Sequence, residues 1–380
     1  MVRVTTARIN LEALRGNLQA IRNFLSTESG RNPPGIIAVV KANAYGHGAE
    51  RVGLALEHAG ATMLACADIE EGIALRRAGV QVPVLVFGAL SVSDLDGLFE
   101  YGLTPTISTP SAARAVQAAA VKARRTIGYH LKIDTGMNRL GFRHDNLRRT
   151  LPELFASANL RLDAVYTHFA TADNPESEAF EEQRTRFENA LATIGEIRAS
   201  GSAFQGARHA ANSAALLRDA RVWYDYVRPG LLLYGIVPPP LASTIPLQPV
   251  LSLTSRVVAV KGLRPGEGVG YGLRYRAEQP STIAVIPAGY ADGLDTRLSG
   301  RASVLIRGRR VPIVGSVCMD MMMADVTALD VAPGDEVVII GRQGSDSWQQ
   351  IDAREMAAAI GTIPWEIVCR IGTRIERQYD

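Results

Sequence analysis

The chain has 380 residues, of which 47% are apolar and 21% are charged, and its formal net charge is +3. This balance excludes an intrinsically disordered chain and gives no support to nucleic-acid binding, while the length is sufficient for two domains. No segment approaches the roughly 18 consecutive apolar residues of a membrane span, and no secretion signal is recognisable at the start. Cys66, Cys318 and Cys369 lie within apolar segments, so we expect reduced thiols in the core or lining a site of a cytoplasmic protein, and no disulfide framework.

Short apolar runs alternate with helical patterns in the first part of the chain. Asn10 is a suitable N-cap for an amphipathic helix, and later helical patterns cover residues 49–60, 69–79, 111–123 and 176–199. The apolar runs are predicted strands at residues 36–40, 63–67, 82–88, 103–108, 129–136, 162–170, 207–213 and 231–236. Eight βα units in series close a (β/α)8 barrel, so residues 1–240 are predicted to form a TIM-type barrel of the α/β class.

The pattern changes at three consecutive prolines, residues 238–240, which mark a stiff, extended boundary. Beyond them helices become rare and strand-like runs are separated by turn signals, so residues 241–380 are predicted to form a C-terminal, mainly β domain. One short helix is expected at residues 353–360, before a last strand. The densest basic cluster, residues 307–310, contains a glycine and is interpreted as a hairpin turn.

Lys41 directly follows the first predicted barrel strand, at the start of a polar loop that contains glycine. A lysine at the end of a buried strand loses hydration, which lowers its pKa and makes the neutral amine available as a nucleophile. In α/β folds this end of the strand is also where ligands bind. Taken alone, the pattern is more typical of a surface lysine whose side chain extends past the strand end.

Polar residues recur at the downstream ends of later strands in the same way. In a closed barrel these ends converge on one face, so residues far apart in the sequence would share a single pocket. The residues concerned are Lys41, Asp68, Asp134, Arg139, His168, Asn212 and Ser213. His168 by itself is more typical of a structural histidine. The six histidines show no spacing with carboxylates or cysteines that predicts a metal site.

Three segments suit a phosphate group. Tyr45 has a hydroxyl that can bind phosphate, and Gly46 and Gly48 beside it permit close backbone approach. Ser213 begins a helical stretch, where its hydroxyl and the backbone N–H groups can bind an anion. The turn at residues 228–230 can offer further amides, and TIM barrels often bind phosphate at their last two loops. An ordinary turn and an ordinary N-cap explain the same residues when each is taken alone.

A lysine nucleophile combined with a late-loop phosphate site suggests a phosphorylated aldehyde bound as a Schiff base, namely pyridoxal phosphate. At this point the chain resembles the alanine racemase family, a family of barrel enzymes that depend on pyridoxal phosphate. The matching segments occur in the family's order and are AVVKANAYGHG, KIDTGMNRLGF, THFATADN, ANSAA, VRPGLLLYG, GVGYG, AGYADG and GSVCMDMMMADV. They cover nearly the whole chain, and eight ordered segments are highly specific.

The resemblance implies interconversion of L-alanine and D-alanine by two-base proton transfer, with D-alanine supplying peptidoglycan synthesis. Lys41 would bind pyridoxal phosphate and handle the proton of the D-isomer, while Tyr271 would handle that of the L-isomer. A free tyrosine has a pKa of about 10, so a cationic His168–Arg228 network is expected to lower it. Arg228 is also expected to face the pyridine nitrogen of the cofactor.

The family pattern implies further roles around these two residues. Arg139 and the backbone N–H of Met319 would hold the substrate carboxylate, and Lys132 matches a position that is carbamylated in some members. Cys318 and Asp320 are expected to support the site, and no metal ion is expected. The expected cofactor-binding residues are Lys41, Tyr45, His168, Asn212, Ser213, Arg228, Gly230, Leu231 and Tyr234.

Family members are head-to-tail homodimers, so each site is expected to combine the barrel of one subunit with Tyr271, Met319 and Asp320 of the partner subunit. Thr373 departs from the family pattern, because some members have a tyrosine there that contacts the phosphate and narrows the entrance. The substrate range would then extend beyond alanine, for instance to serine. The alternatives are a broad-specificity amino-acid racemase on the same scaffold, and a non-catalytic protein of pyridoxal phosphate homeostasis.

Overall fold

The computed structural model describes residues 4–29, 32–90, 94–198, 206–344 and 348–380. Strand β1 (Thr6–Ile9) is followed by helix α1 (Leu11–Ser29). The side-chain oxygen of Asn10 accepts a hydrogen bond from the N–H of Ala13 at 2.7 Å and so caps this helix. The predicted N-cap and amphipathic helix are confirmed. The buried face of the helix consists of Leu14, Asn17, Leu18, Ile21 and Leu25.

Eight parallel strands close the predicted barrel. Strands β2 to β10 are Gly35–Val39, Met63–Cys66, Val84–Val86, Thr104–Ile107, Ile127–Asp134, Phe142–Arg143, Leu160–Tyr166, Ala207–Asn212 and Tyr226–Arg228. Neighbouring strands are hydrogen-bonded in the order β5-β4-β3-β2-β10-β9-β8-β6, and a pairing of β5 with β6 closes the ring. Strand β7 is a short addition at β6. The predicted (β/α)8 barrel is confirmed, and its strands are apolar because both faces of the sheet are covered.

Helical segments connect most of these strands. Helices α2 to α10 are Lys41–Tyr45, Ala49–His58, Ile69–Arg77, Asp96–Glu100, Pro110–Ala123, Leu147–Thr150, Pro152–Phe155, Ala179–Ile197 and Ser213–Arg218. Asp68 caps α4 by accepting from the N–H of Glu71 at 2.8 Å, and Asn212 caps α10 by accepting from the N–H of Ala215 at 2.9 Å. Among the described residues, no helix combines the length and apolar character needed to cross a membrane.

The eighth barrel strand is shorter and lies earlier in the chain than predicted. The strand is Tyr226–Arg228, whereas the apolar run predicted as a strand at residues 231–236 begins with a 3-10 turn, Leu231–Tyr234. The prediction is wrong because Gly235 has a φ of 75°, a left-handed conformation that is incompatible with an extended strand. The leucines of the turn are buried, so their apolar character reflects core packing and not strand pairing.

A mainly antiparallel β region follows the barrel. Strands β11 to β21 are Leu251–Arg256, Ala259–Leu263, Gly268–Val269, Tyr275–Arg276, Ser281–Ile286, Ser303–Ile306, Arg309–Val314, Met322–Asp325, Glu336–Gln343, Gln349–Ile351 and Glu376–Tyr379. Helices α11 (Ala353–Ile360) and α12 (Pro364–Cys369) lie before the last strand. The predicted mainly β character, the short helix and the last strand are confirmed, whereas α12 was not predicted.

The large sheet of this region also contains the first strand of the chain. Thr6 in β1 pairs antiparallel with Thr254 in β11 and parallel with Glu376 in β21. The division predicted at residues 240 and 241 placed these first residues with the barrel, because β1 is too short to stand out as an apolar run. Residues 6–9 instead pair with strands from the far end of the sequence. The boundary at residue 240 itself stays a prediction.

The basic cluster at residues 307–310 includes the turn between β16 and β17, as predicted. Arg307 forms an ion pair with Asp335 at 2.9 Å, and Arg310 pairs with Glu355. Nearby carboxylates therefore compensate both charges, and the pairs are solvent-exposed, so each is expected to contribute little to stability.

Candidate active site

The chain leaves strand β2 through a left-handed turn that begins at Lys41. Residues 42–45 all have φ values between 52° and 54°. This conformation costs L-amino acids roughly 1–2 kcal/mol per residue. Hydrogen bonds offset part of that cost, since the N–H of Ala44 donates to the carbonyl of Val40 at 2.8 Å. The turn holds Lys41 at the carboxyl end of the barrel strands, where ligands of such barrels bind.

Helix α12 packs closely against this turn. Gly46 has a φ of 82°, and a Cβ at this position would lie 2.2 Å from the carbonyl oxygen of Val368. Cys369, at the end of α12, lies near Lys41 and Tyr45. Its thiol is free, and partial desolvation raises the pKa of the thiol to about 11, so it is neutral at physiological pH although the residue is exposed. Its place beside Lys41 was not predicted from the sequence.

The environment of the Lys41 amine favours its neutral form. Burial lowers the pKa of Lys41, and the positive charge of Arg139 lowers it further. The negative charge of Glu71 acts in the opposite direction, with a smaller effect. The neutral, nucleophilic amine is therefore more populated than in a solvent-exposed lysine.

Positive charge is concentrated around this amine. Burial lowers the pKa of Lys132 to about 8, with further contributions from the charges of Arg139 and Arg228. Burial also holds the pKa of His168 well below its usual range, and the same cations add to this effect. Arg139 has no hydrogen bond or ion pair to any of the described residues. A pocket with this charge favours anionic groups such as phosphate or carboxylate.

Arg228 lies at the centre of a buried hydrogen-bonded chain. Its guanidinium donates to Nδ1 of His209 at 2.8 Å and to the carbonyl oxygen of Thr167 at 2.8 Å. Because arginine can only donate, Nδ1 of His209 accepts, and Nε2 of His209 donates to Nδ1 of His130 at 3.0 Å. Burial, assisted by the charge of Arg228, keeps both histidines neutral, and these hydrogen bonds fix one tautomer of His209. Burial lowers the pKa of Arg228 to about 10, so it stays cationic at neutral pH.

His168 and Arg228, which the sequence analysis placed in one network, lie side by side. Nδ1 of His168 and Nη2 of Arg228 are 3.4 Å apart. His209 and His130 were not predicted as members of this network. The available signal was weak, since strands β9 and β6 each contain other polar residues and nothing in the sequence pairs His209 with His130. The described part of the chain contains no group of three or more His, Cys, Asp or Glu side chains that could hold a metal ion.

We expect the protein to lose stability as the pH falls below about 6.5, because its buried histidines stay neutral. Burial lowers the pKa of His130 from 6.5 to about 4, so between these values the unfolded chain binds a proton that the folded chain excludes. The free energy of unfolding should then fall by on the order of 2 kcal/mol per such histidine as the pH decreases to about 4.5.

Thermal unfolding at graded pH measures this loss. The variant His130→Asn keeps an oxygen that can accept from His209 but cannot titrate. It should show a flatter decline in Tm between pH 6.5 and 4.5 than the unsubstituted protein, within the titration range of the buried imidazole. Identical declines in both proteins would contradict a neutral His130.

Residues predicted to bind phosphate meet beside the end of strand β10. The Ser213 hydroxyl accepts a hydrogen bond from the N–H of Gly230 at 3.0 Å. The Tyr45 hydroxyl lies over Gly230, where a Cβ would come within 2.6 Å of it. Asn212 precedes Ser213 and caps α10, and Leu231 follows Gly230 in the 3-10 turn. We call Tyr45, Ser213 and Gly230 the phosphate cradle.

Tyr234 lies behind the cradle. Its hydroxyl donates to the carbonyl of Val39 at 3.0 Å, and its ring centroid is 5.1 Å from that of Tyr45. Burial raises the pKa of both tyrosines, so both hydroxyls are neutral donors. The contact of Tyr234 with the cradle is therefore through its ring, while its hydroxyl holds the end of strand β2.

Tyr271 and Met319 lie in the β region and are largely exposed. The side chain of Tyr271 is 78% exposed, and that of Met319 is 52% exposed. Among the described residues no hydrogen bond joins Tyr271 to Lys41. Within the described part of a single chain, the two predicted proton carriers are thus not hydrogen-bonded to each other.

The segment around Met319 is held by its neighbours. The N–H of Tyr290 donates to the carbonyl of Cys318 at 2.9 Å, and Asp320 forms an ion pair with Arg374 at 2.6 Å. The large apolar side chains that are exposed between residues 271 and 321 are Tyr271, Leu273, Tyr290, Met319 and Met321. A group of exposed apolar side chains is typical of an interaction surface.

Two family models match this chain. One, described as alanine racemase, N-terminal domain, matches residues 9–238, and the other, alanine racemase, C-terminal domain, matches residues 250–379. A relative named alanine racemase from Symbiobacterium thermophilum is 41% identical over 380 residues, which is 100% of this chain and 97% of that protein. A further alanine racemase, from Carboxydothermus hydrogenoformans, is 41% identical over 384 residues and 100% of both proteins.

Solved structures of similar proteins also cover the whole chain. The alanine racemase from a D-cycloserine producing Streptomyces lavendulae has a TM-score of 0.91 at 33% identity, covering 100% of this chain and 98% of that one. The alanine racemase from Bacillus anthracis with bound L-Ala-P has a TM-score of 0.87 at 35% identity, covering 100% of this chain and 96% of that one. The matches extend over both the barrel and the β region, and the chain therefore belongs to the alanine racemase family.

Proposed function

We propose that the protein interconverts L-alanine and D-alanine with pyridoxal phosphate held in the barrel pocket. The observation that carries this proposal is the desolvated amine of Lys41, which lies at the same barrel end as the phosphate cradle and Arg228. Similarity over the full chain to proteins named alanine racemase supports the reaction and the substrate. The D-alanine would supply peptidoglycan synthesis in the cytoplasm.

The residues at this end of the barrel fit pyridoxal phosphate. The Tyr45 hydroxyl packs directly against Gly230, where a Cβ would come within 2.6 Å of it, so the hydroxyl and this stretch of backbone lie close enough together to contact one phosphate group. Buried, cationic Arg228 suits the pyridine nitrogen, and Lys41 suits a bond to the aldehyde carbon. When bound, the cofactor would stabilise the negative charge left on an amino acid after its α-proton is removed. The proposed set is completed by His168, Asn212, Leu231 and Tyr234.

Racemisation requires one group that removes the α-proton and another, on the opposite face, that returns a proton. We assign the D-isomer's proton to Lys41, whose lowered pKa makes its neutral form available as a base. We assign the L-isomer's proton to Tyr271, whose exposed hydroxyl has no partner among the described residues of its own chain. The two groups would meet only if the β region of one subunit covers the barrel of another.

The substrate carboxylate would be held by Arg139 and by the backbone N–H of Met319 of the partner subunit. The absence of an ion pair to Arg139 among the described residues supports this role, since a free guanidinium can bind a carboxylate through two hydrogen bonds. Lys132 lies buried near Arg139, and its pKa of about 8 gives it a neutral fraction that can add dissolved carbon dioxide and release a proton to form a carbamate. A carbamate there would carry negative charge and would brace Arg139.

We propose a homodimer with shared active sites. The exposed apolar group around Tyr271 and Met319 supports this assembly, because burying it against a second barrel would remove apolar surface from water. The ion pair of Asp320 with Arg374 holds the same segment in place on its own subunit. Each dimer would then contain two equivalent sites, as two-fold symmetry requires.

Assays of the purified protein with both isomers of alanine, serine, lysine and arginine test this function, together with an absorbance spectrum for bound cofactor. Alanine should be racemised fastest. Comparable turnover of several amino acids would favour the broad-specificity racemase. Bound pyridoxal phosphate without turnover of any amino acid would favour the homeostasis protein, and an absence of both binding and turnover would contradict all three.

Substrate breadth should depend on Thr373, which is exposed and lies four residues after Cys369, the neighbour of Lys41 in helix α12. Threonine leaves more room there than the tyrosine of some family members. Thr373→Tyr should therefore lower the ratio of serine to alanine kcat/KM by about tenfold, the usual scale for steric discrimination in a pocket. Thr373→Ser, which adds no volume, is the matched control. An unchanged ratio in the tyrosine variant would exclude this position as a determinant.

A further inference from the structure

Glu71 joins the ends of two neighbouring barrel strands through both oxygens of its carboxylate. Oε1 accepts a hydrogen bond from the N–H of Ala42 at 2.7 Å, and Oε2 accepts one from the N–H of Ala67, also at 2.7 Å. Ala42 follows strand β2 and is the residue next to Lys41, whereas Ala67 follows strand β3. One side chain thus ties the backbone beside Lys41 to the adjacent strand end.

These two bonds differ from an ordinary helix cap. Asp68 is the N-cap of α4 and already accepts from the N–H of Glu71 at 2.8 Å. In a capping box, the carboxylate at the position of Glu71 would return to the N–H of the N-cap residue itself. Here one oxygen accepts from the N–H of Ala67, the residue before the N-cap. The other accepts from the N–H of Ala42, in the turn after β2. The bond to Ala42 is therefore not explained by the start of the helix.

The turn that Glu71 contacts needs support from outside. Residues 42–45 adopt the left-handed conformation that L-amino acids disfavour, so the turn persists only where surrounding bonds hold it. The N–H of Ala42 is the first in this turn, and its hydrogen bond within the described structure is the one to Glu71. A carboxylate acceptor makes this bond stronger than a neutral acceptor would.

We propose that Glu71 is a positioning residue for Lys41: its carboxylate holds the left-handed turn and so fixes the place of the lysine amine in the pocket. The inference rests on the proposed function, since it is that function which requires a precisely placed amine. Glu71 acts through the backbone of Ala42 and has no contact with reacting atoms. Glu71 and Lys41 are far apart in the sequence, and the pairing of β2 with β3 brings them together.

Loss of the Glu71 charge and loss of its hydrogen bond should change the reactivity of Lys41 in opposite directions, which makes the proposal testable. The negative charge of Glu71 raises the pKa of Lys41 and so reduces its neutral fraction. Removal of the charge would therefore make Lys41 more nucleophilic at neutral pH. Removal of the hydrogen bond would instead release the turn and move the amine from its position, which slows a reaction that depends on placement.

The experiment measures how fast Lys41 reacts with added pyridoxal phosphate in the full-length protein after its cofactor has been removed. Borohydride traps the adduct, and peptide mass spectrometry quantifies it at Lys41. Glu71→Ala should react about tenfold more slowly, the effect of losing one hydrogen bond to a charged group. Glu71→Gln, which keeps one neutral acceptor, should lie between. Glu70→Ala is the matched control, because Glu70 is exposed on the same helical turn and has no described partner.

A faster reaction in Glu71→Ala would show that Glu71 acts through its charge, and equal rates in all variants would show that it does not act on Lys41; either result overturns the proposal. Circular dichroism and Tm establish that each variant is folded, and Glu71→Gln provides the test if the alanine variant is not. Trapping does not require racemisation, so it tests Glu71 whatever the substrate. Absence of trapping at Lys41 in the unsubstituted protein would contradict the proposed function itself.

Discussion

Replacement of Lys41 by alanine should reduce alanine racemisation by about 10⁴-fold or more, since one side chain is expected both to bind the cofactor and to move a proton. Burial and the charge of Arg139 prepare this amine by lowering its pKa. Borohydride reduction followed by the mass of the denatured protein measures covalent retention of pyridoxal phosphate. The unsubstituted protein should retain it, and Lys41→Ala should not.

The matched control is Lys261→Ala, which removes an exposed lysine on strand β12. This variant should retain the cofactor and racemise alanine at the normal rate. Retention of the cofactor by Lys41→Ala after reduction and denaturation would show that another amine binds it. Racemisation by Lys41→Ala at a rate close to normal would exclude Lys41 as a proton carrier.

Tyr271→Phe should affect the two directions of the reaction unequally. The variant keeps the ring and loses the hydroxyl that we assign to the L-isomer's proton. Incorporation of solvent deuterium into L-alanine should fall by about 10²- to 10⁴-fold, the usual contribution of a general acid or base. Incorporation into D-alanine, which depends on Lys41, should fall much less. Mass spectrometry of each isomer at early times measures the two rates separately.

Tyr275→Phe controls for loss of a hydroxyl in the same segment. That hydroxyl lies 3.2 Å from a carboxylate oxygen of Asp325, and we assign it no part in the reaction. Both exchange rates should stay normal in this variant. Equal losses in both directions for Tyr271→Phe would count against separate proton carriers.

Mixing the two inactive variants gives a further check on the shared site. If Tyr271 enters the partner subunit, a dimer of one Lys41→Ala chain and one Tyr271→Phe chain has one intact site. Free exchange of subunits should then restore about a quarter of the normal activity, since half of the dimers are mixed and each has half of its sites intact. No recovery, with exchange shown by mass spectrometry of labelled subunits, would place both groups on one chain.

Much of the fold could be predicted because its signals are local. Buried parallel strands appear as short apolar runs, and seven of the eight barrel strands were predicted in this way. The prediction of the eighth strand failed for a local reason as well. The buried run at residues 231–236 has the composition of a strand but begins with a 3-10 turn. Apolar composition reports burial, and it does not distinguish a strand from a packed turn. Strand β1 was missed because it is too short to stand out as an apolar run, and its partners lie later in the chain, at β11 and β21.

The candidate site was predictable only in part. Lys41 could be singled out because a strand and a glycine-containing loop adjoin it in the sequence. The hydrogen-bonded chain from Arg228 through His209 to His130 could not, because the two histidines lie on different strands and nothing in the sequence pairs them. Cys369 gave no signal either, since it reaches Lys41 from a helix in the β region.

The sequence by itself determined which side chains stand at the ends of the barrel strands, because strand length and burial follow from hydrophobic runs along the chain. It also determined the family, through eight segments in order. Only the tertiary structure decided the pKa values and the exact positions of those side chains. The pKa of Lys41 depends on burial and on Arg139, and its place depends on the bond from Glu71 to the turn. These effects act over a few ångströms between residues that only the closure of the barrel brings together.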